Sequence, residues 1–221
     1  MTNIMNSVTN FIEQDVSIRR GLARGFINSR ALAKYIQKNL GLSCSIDGVI
    51  SAIRRYELRE EAKEDIKKRY KLIANAKVSS RSRMVSVLFK KDVNVRKGLM
   101  RLHDKVDFSK GEVLRILEVS QFIKVILDYS NFKYIDELFT KSDILAIDKK
   151  LGEISLIYGE EVIDTPGVFA ALSSELALNN ISIRDGVICG SEHIFIINED
   201  DLMKALQSLH GISKWGDMQA D

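Results

Sequence analysis

The chain has 221 residues, of which 45% are hydrophobic and 29% are charged. No apolar run approaches the roughly 20 residues that a membrane-spanning helix needs, so we expect no membrane partner. The first residues lack a basic start followed by an apolar block, so we expect no secretory signal. Cys44 and Cys189 fall in different predicted domains. Composition therefore predicts a cytoplasmic protein with two reduced thiols.

The two ends of the chain differ in charge, although the net charge is only +3. Residues 1–81 hold 16 Lys and Arg against 8 Asp and Glu, a balance of +8. Residues 82–221 hold 17 against 22, a balance of −5. A basic front end joined to a mildly acidic remainder predicts a polyanion partner at the front.

The front end carries apolar residues at helical spacing. We predict a helix over residues 3–24 with a break near Asp15, then a helix that Asn28 or Ser29 caps and that stops at Gly41. Ser45 is predicted to cap the helix that follows. Two short capped helices separated by a glycine-containing turn are typical of a helix-turn-helix.

In a helix-turn-helix the second helix lies in the major groove of DNA. We therefore predict DNA contacts from the polar residues of this pair, which are Arg30, Ser45, Asp47, Ser51, Arg54 and Arg55. The order of helices also resembles winged-helix regulators, with residues 77–81 as the only candidate wing. The alternative is a small helical bundle that docks on another protein, because helix pairs joined by short turns are common.

Residues 57–75 are highly charged with a narrow apolar stripe. This pattern indicates either a solvated connector helix or one strand of a dimer seam. Residues 75–83 are small and polar, and we predict a domain boundary there.

The remainder of the chain shows one order of elements twice. Strands are predicted at 84–89, 113–119, 122–127 and 144–147, with helices at 93–102 and 131–139. The second copy has strands at 154–158, 181–184 and 193–198, with helices at 168–178 and 202–210. This repetition predicts an internal structural repeat with little sequence identity.

The only proline of the chain, Pro166, lies in the turn that opens the helix at 168–178. Proline suits the first helical turn, and Asp164 or Thr165 can cap the free amides. Gly167 lets a ligand approach the backbone, and a helix start favours an anion such as a carboxylate. The turn therefore predicts a cradle for a small anion.

Strand, helix, strand, strand, helix, with Pro-Gly opening the first helix, resembles the ACT domain, a small regulatory module that binds amino acids. The likeness is greatest to the second ACT domain of aspartokinases, and it rests on residues 165–168, 180–183, 191–192 and 198–202. Together with the helix-turn-helix pattern of the front end, the resemblance predicts an α+β protein whose all-helical helix-turn-helix domain lies at 1–75. Tandem ACT domains of ferredoxin-like βαββαβ order follow at 82–148 and 151–212, with two four-stranded sheets and a flexible tail at 213–221. The first ACT domain is degenerate, because its loop at residues 91–95 lacks Pro-Gly.

The resemblance also implies a ligand site. The carboxylate of an amino acid is expected against the amides of Gly167 and Val168, with its ammonium at Asp164. Ser182 or Ile183 is expected to line the pocket, either within one chain or across a dimer interface. Arg184 and Asp185 are expected to contact a polar side chain of the ligand. Thr165 and Pro166 complete the turn. Alternatively, this domain only pairs subunits, with the apolar edge at residues 181–183 forming a homodimer.

No residue pattern predicts catalysis. The histidines His103, His193 and His210 are far apart and lack metal-ligand spacing, and no phosphate-loop, dinucleotide or nucleophile-elbow motif is present. The kinase domain that precedes the ACT pair in aspartokinases is replaced by basic, helical residues. We therefore expect no catalytic residue, no metal and no cofactor.

These features together predict a non-enzymatic regulator that binds DNA through its front end and senses an amino acid or related metabolite through its ACT domains. The alternative is a free-standing regulatory or scaffold subunit whose helical domain binds an enzyme and never touches nucleic acid.

Overall fold

The computed structural model describes residues 4–23, 25–57 and 68–218, and for Val16, Arg20, Ala23, Glu57 and residues 213–218 it describes the backbone only. The chain divides into two compact units, Met1–Arg69 and Tyr70–Asp221. Residues 58–67, which hold most of the predicted connector helix, lie outside the described residues. Among the described residues, no helix has both the length and the apolar character that crossing a bilayer would require.

The first unit contains the helices α1 (Ile4–Gln14), α2 (Val16–Ala23), α3 (Ser29–Leu40) and α4 (Ile46–Glu57). The predicted break at Asp15 is confirmed, because its Oδ1 accepts hydrogen bonds from the amides of Ser17 and Ile18 at 2.8 and 3.1 Å. The side chain of Asn28 caps α3, and Gly41 ends it with φ 60°, in the left-handed region that favours glycine.

Helix α4 packs against α1 and α3. Because apolar residues recur at helical spacing, the three helices turn one face inward, and a common core forms from residues that include Val8, Ile12, Ile36, Val49 and Ile53. The basic side chains of α4 are left on the opposite face.

Residues 68–74 form the helical segment α5. The division between the two units falls within this segment, after Arg69. The elements that follow are β1 (Lys77–Lys90), α6 (Val93–Lys105), β2 (Leu114–Glu118), β3 (Phe122–Asp128), α7 (Lys133–Leu138), β4 (Ile144–Ile157), α8 (Val168–Leu178), β5 (Ile183–Cys189), β6 (Glu192–Asn198) and α9 (Leu202–Met218). Short 3-10 turns precede α7, α8 and α9.

All six strands form one antiparallel sheet in the order β2-β3-β1-β4-β6-β5. The expectation of two separate four-stranded sheets was wrong. The long strands β1 and β4 pair along most of their length, and each serves both repeats. The second half of β1 pairs with β3, whereas its first half, residues 77–81, completes the second repeat beside β4.

Sharing of the long strands corrects several local predictions. Residues 77–83, expected as a boundary and in part as a wing, are the first half of β1. The strands expected at 144–147 and 154–158 are one strand, β4. Helix α9 continues to Met218, so the segment expected as a tail is helical up to that residue. The strand expected at 181–184 begins at Ile183 and runs to Cys189.

The sheet curls until distant strands meet. In a flat sheet β3 and β5, which have three strands between them, would lie about 19 Å apart at the usual spacing of about 4.8 Å. Lys124 on β3 nevertheless donates to both carboxylate oxygens of Asp185 on β5 at 2.7 and 2.9 Å. Inside the curl lies a small apolar core that includes Met84, Ile126 and Ile196.

A second polar contact closes the curl. Arg115 on β2 donates two hydrogen bonds, of 2.7 and 2.8 Å, to the carboxylate of Glu153 on β4, whose side chain is only 2% exposed. The carboxylate raises the pKa of Arg115, chiefly through these hydrogen bonds. The inner face of the sheet is therefore part apolar core and part buried ion pair.

Each long strand bends at one residue with a left-handed backbone. Arg83 in β1 has φ 57° and Lys150 in β4 has φ 56°. For residues other than glycine this conformation is uncommon and costs on the order of 1–3 kcal/mol. The pairing of β1 with β4 shifts register at the bend in β1, between Arg81 and Met84, as expected of a β-bulge that increases twist.

Candidate functional site

The turn before α8 has the geometry of an open helix start. Gly167 is the N-cap residue of α8 with φ 80°, so this position requires a left-handed backbone. Within the described residues, no side chain caps α8 at this residue. The first amides of the helix are thus left to another acceptor, as a small-anion cradle requires.

Of the two alternative caps expected for α8, Asp164 makes no capping hydrogen bond within the described residues, and neither does Thr165. Its side chain is buried, and its Oγ1 donates to the carbonyl oxygen of Glu161 at 2.6 Å. This hydrogen bond ties the hydroxyl of Thr165 to the preceding turn of the loop instead of to the amides of the helix. Asp164 and Pro166 are exposed, and Val168 is buried under the helix.

The corresponding turn of the first repeat is already closed. There, the carboxylate of Asp92 accepts a hydrogen bond of 2.7 Å from the amide of Asn94 and caps α6. A second carboxylate at this helix start would meet like charge. The two repeats therefore differ in the feature on which anion binding depends.

The predicted residues 182–185 lie at the start of the edge strand β5. Ser182 is exposed and Ile183 is half-buried. Arg184 donates from Nε to Oδ1 of Asn198 at 3.2 Å, and Asp185 accepts from Lys124. The charged side chains of Arg184 and Asp185 thus already have partners within the chain.

An aromatic cluster that was not predicted from the sequence joins α8 to the sheet. Phe169, in the first turn of α8, stacks on Phe195 with ring centroids 4.8 Å apart, and lies 5.6 Å from His193. A Cβ atom at Gly186 of β5 would come within 2.8 Å of the Phe169 ring. The turn before α8 and strand β5 are therefore brought together through Phe169. The alternation of His193, Phe195 and Ile197 along β6 was the signal for this shared face.

Two buried polar atoms lie in this cluster without hydrogen-bond partners in the described part of the chain. They are Nδ1 of His193 and the hydroxyl of Tyr158, whose rings lie 4.9 Å apart. Burial lowers the pKa of His193 and raises the pKa of Tyr158, because it disfavours the charged form of each.

We expect His193 to make the stability of the second unit depend on pH. The unfolded chain binds a proton at His193 near the ordinary pKa of 6.5, and the folded chain binds it only at lower pH. The contribution of His193 to stability is therefore fully present above pH 6.5 and is lost as the pH decreases below it. Urea unfolding at about pH 8 and about pH 5 measures this loss, which should shrink in His193→Phe. An identical loss in the variant would contradict the assignment.

The helix pair of the first unit presents the predicted DNA-contacting residues to solvent. Asp47, Ser51, Arg54 and Arg55 lie along one exposed face of α4, opposite its buried face. Ser45 caps α4 as predicted, with Oγ accepting from the amide of Gly48 at 3.2 Å. Arg30 is exposed in the first turn of α3.

Within residues 4–23, 25–57 and 68–218, no group of three or more His, Cys, Asp or Glu side chains is placed to hold a metal ion. No protein-family model and no curated protein matches the sequence.

Solved structures with a similar fold include aspartate kinases and a regulatory subunit of one. Aspartate kinase from Clostridium acetobutylicum, described as an allosteric enzyme, matches 61% of this chain with TM-score 0.51 and 13% identity. The match spans 34% of that enzyme, so this chain corresponds to about a third of its length. The regulatory subunit of aspartate kinase from Thermus thermophilus, in its ligand-free form, matches 61% of this chain and 95% of its own with TM-score 0.49 and 11% identity. Escherichia coli aspartokinase III in complex with lysine and aspartate matches 62% of this chain and 33% of its own, with TM-score 0.44 and 13% identity.

The match to the aspartate kinase from Clostridium acetobutylicum confirms the predicted resemblance to aspartokinases. At such low identity the likeness concerns the fold alone, which in this chain is an α+β architecture on a curled antiparallel sheet.

Proposed function

We propose that this chain is a non-enzymatic regulator whose second unit senses an amino acid or related metabolite and whose first unit binds DNA. The observation that supports the sensing role is the fold, which is similar to a part of an aspartate kinase described as an allosteric enzyme. The proposed domains are those expected from the sequence, 1–75, 82–148 and 151–212, with strands β1 and β4 shared between the last two.

The proposed amino-acid site is the turn before α8. Its support is the left-handed Gly167 and the helix start that no side chain caps within the described residues. A ligand carboxylate at this position would accept hydrogen bonds from backbone amides and lie at the positive end of the helix dipole. Asp164, which is exposed beside it, is the proposed partner of the ammonium group, and Ser182 and Ile183 are proposed to line the pocket.

A ligand that binds only the folded state raises its stability by mass action. We therefore expect at least one of the twenty common amino acids to raise the melting temperature, and Gly167→Asn to abolish the shift. Asparagine tolerates the left-handed backbone, so this variant adds a side chain to the cradle without the strain that valine would introduce. Gly190→Asn, at another left-handed position with φ 56°, is the matched control. A shift that survives Gly167→Asn would place the ligand elsewhere.

The proposed DNA-binding surface is the exposed face of α4 together with Arg30. Its support is the capped helix pair, the exposure of Arg54 and Arg55, and the excess of basic residues at the front of the chain. Contacts of arginine with phosphate supply affinity, and polar residues in the groove supply sequence preference.

An electrophoretic shift with mixed duplex DNA at about 50 mM salt tests this surface, because phosphate contacts dominate at low salt. We expect a shift that Arg54→Ala/Arg55→Ala weakens strongly and that higher salt abolishes. Lys97→Ala/Arg101→Ala on α6, which removes the same charge from exposed positions of the second unit, is the control. Absence of any shift would contradict DNA binding and leave the amino-acid proposal standing.

Regulation requires that the ligand bind the DNA-competent state and the other state with different affinities, since a ligand of equal affinity for both does not shift their equilibrium. A homodimer is proposed as the assembly, because β5 is an edge strand with unpaired backbone groups on its outer side.

A further inference from the structure

A hollow of about 290 Å³ lies where the two repeats of the second unit meet. It is lined by Arg83, Met84, Tyr129, Lys149, Lys150 and Glu199. This volume is near the lower end of the range for small-molecule sites, so it suits a ligand smaller than most drug-sized molecules. None of these residues belongs to the turn before α8.

The lining residues occupy equivalent positions in the two repeats. Met84 pairs with Leu151 at the centre of the sheet, where β1 crosses β4. Arg83 immediately precedes the first of these residues, and Lys150 immediately precedes the second. Tyr129 and Glu199 in turn follow the last residues of β3 and β6, which pair with Met84 and Leu151. The hollow therefore lies on the approximate twofold axis of the repeat.

Two of the cations that line the hollow have an uncommon backbone conformation. Arg83 and Lys150 are two of the three residues other than glycine with positive φ in the described part of the chain. Strained conformations of this kind concentrate at ligand sites, although a bulge that curls the sheet also accounts for them. The backbone alone does not decide between these explanations, so the inference rests on the charges of the lining, whose three cations are exposed.

The lining has three cations and one carboxylate. Among the described residues, Arg83, Lys149 and Lys150 make no ion pair with protein carboxylates, whereas eight other pairs do form. Lys149 Nζ lies 4.4 Å from the ring centre of Phe132 and 5.8 Å from that of Tyr129, contacts that leave its charge unneutralised. Glu199 supplies the single negative charge at the hollow.

We infer that this hollow, which we call the axial pocket, binds a small acidic amino acid. Two ligand carboxylates match the cations Arg83, Lys149 and Lys150, and the ligand ammonium matches Glu199. The aliphatic stems of the lysines and the ring of Tyr129 cover the carbon chain of the ligand. This inference rests on the proposed sensing function and adds to it a second site of defined charge.

Isothermal titration calorimetry of the full chain with L-glutamate tests the axial pocket. We expect saturable binding that Arg83→Asn/Lys150→Asn weakens by at least about tenfold. Asparagine keeps the left-handed backbone available, so the pair of substitutions removes charge and preserves the bends. Lys97→Gln/Arg101→Gln removes the same charge from exposed positions on α6 and should leave affinity unchanged. Binding that is equal in both double variants, or no binding of L-glutamate or L-aspartate, overturns the inference.

Ligand analogues test the assignment of each charge. L-Glutamine lacks the second carboxylate and should bind at least about tenfold more weakly than L-glutamate. Glutarate lacks the ammonium group, so Glu199→Gln should weaken L-glutamate and spare glutarate. Inorganic phosphate that binds as tightly as L-glutamate would overturn the assignment of an amino acid.

Gly167→Asn separates this inference from the proposed function. Binding of L-glutamate that survives Gly167→Asn and is lost in the axial variant supports the axial pocket. If another amino acid binds in a manner that depends on Gly167 while acidic ones do not bind, the inference fails and the proposed function stands. If none of the twenty amino acids binds, both fail.

Discussion

Replacing Arg115 by methionine should lower the free energy of unfolding of the second unit by about 3 kcal/mol, because it leaves Glu153 as a buried carboxylate without its closest partner. Glu153 is 2% exposed at its side chain, and Arg115 supplies both of its short hydrogen bonds. Arg81 is the other cation nearby, at 3.8 Å, and it keeps the loss at the lower end of the range for broken buried pairs. Urea unfolding of the variant measures the change.

Two further variants make this test specific. Arg96→Met breaks a similar ion pair with Glu118. Because the side chains of Arg96 and Glu118 are both exposed, the free energy of unfolding should hardly change. Arg115→Met/Glu153→Leu removes both charges and should recover much of the loss, since no carboxylate is then left buried. If Arg115→Met and Arg96→Met behave alike, the curled sheet does not depend on this contact in solution.

Phe89→Ala should lower the free energy of unfolding by about 3–5 kcal/mol, which combines lost burial of the ring with the cavity that remains. Phe89 is fully buried on β1 and its ring centre lies 4.5 Å from that of Phe139. Its neighbours in the core of the first repeat include Val95, Leu99 and Leu102. These side chains belong to a close-packed interior that refills such a space poorly.

Phe108→Ala provides the comparison, because this phenylalanine is 47% exposed. We expect it to cost less than about 1.5 kcal/mol, in proportion to its partial burial. Both variants are compared by urea unfolding, with the slope against urea as a check on compactness. Equal losses would show that the core of the first repeat is not packed around Phe89.

The shared strands give both predictions a common origin. Strand β1 carries Phe89 in its second half, and its first half completes the second repeat beside β4. A substitution that destabilises one repeat should therefore also destabilise the other, because both repeats contain β1 and β4. We expect the second unit to unfold in one cooperative step, as small single domains usually do.

Much of the local structure could be predicted from the sequence. Asp15, Asn28, Gly41 and Ser45 mark helix ends through their own side chains or backbone preferences, and each does so in the structure. The order of strands and helices in the two repeats was also correct, because apolar spacing records which side of an element is buried. The Pro-Gly turn before α8 was located from its residues alone.

The arrangement of the strands could not be predicted in the same way. Residues 77–83 were expected as a boundary because their side chains are polar, and in the structure they are exposed. Their backbone groups nevertheless pair with β4, and backbone pairing leaves no mark in the pattern of side chains. Thr165 failed as a predicted cap for a related reason, since a carbonyl of its own loop competes for its hydroxyl.

The sequence by itself determined the ends of the front helices, the repetition of the two copies and the basic character of the front end, because these properties depend on residues close together in the chain. Only the tertiary structure decided that two strands serve both repeats, that Arg115 reaches Glu153, and that Arg83, Lys150, Tyr129 and Glu199 surround one hollow. The physical reason is that strand pairing and sheet curl join residues far apart in the chain. The free energy of these contacts is set by the whole packed unit and by no local pattern.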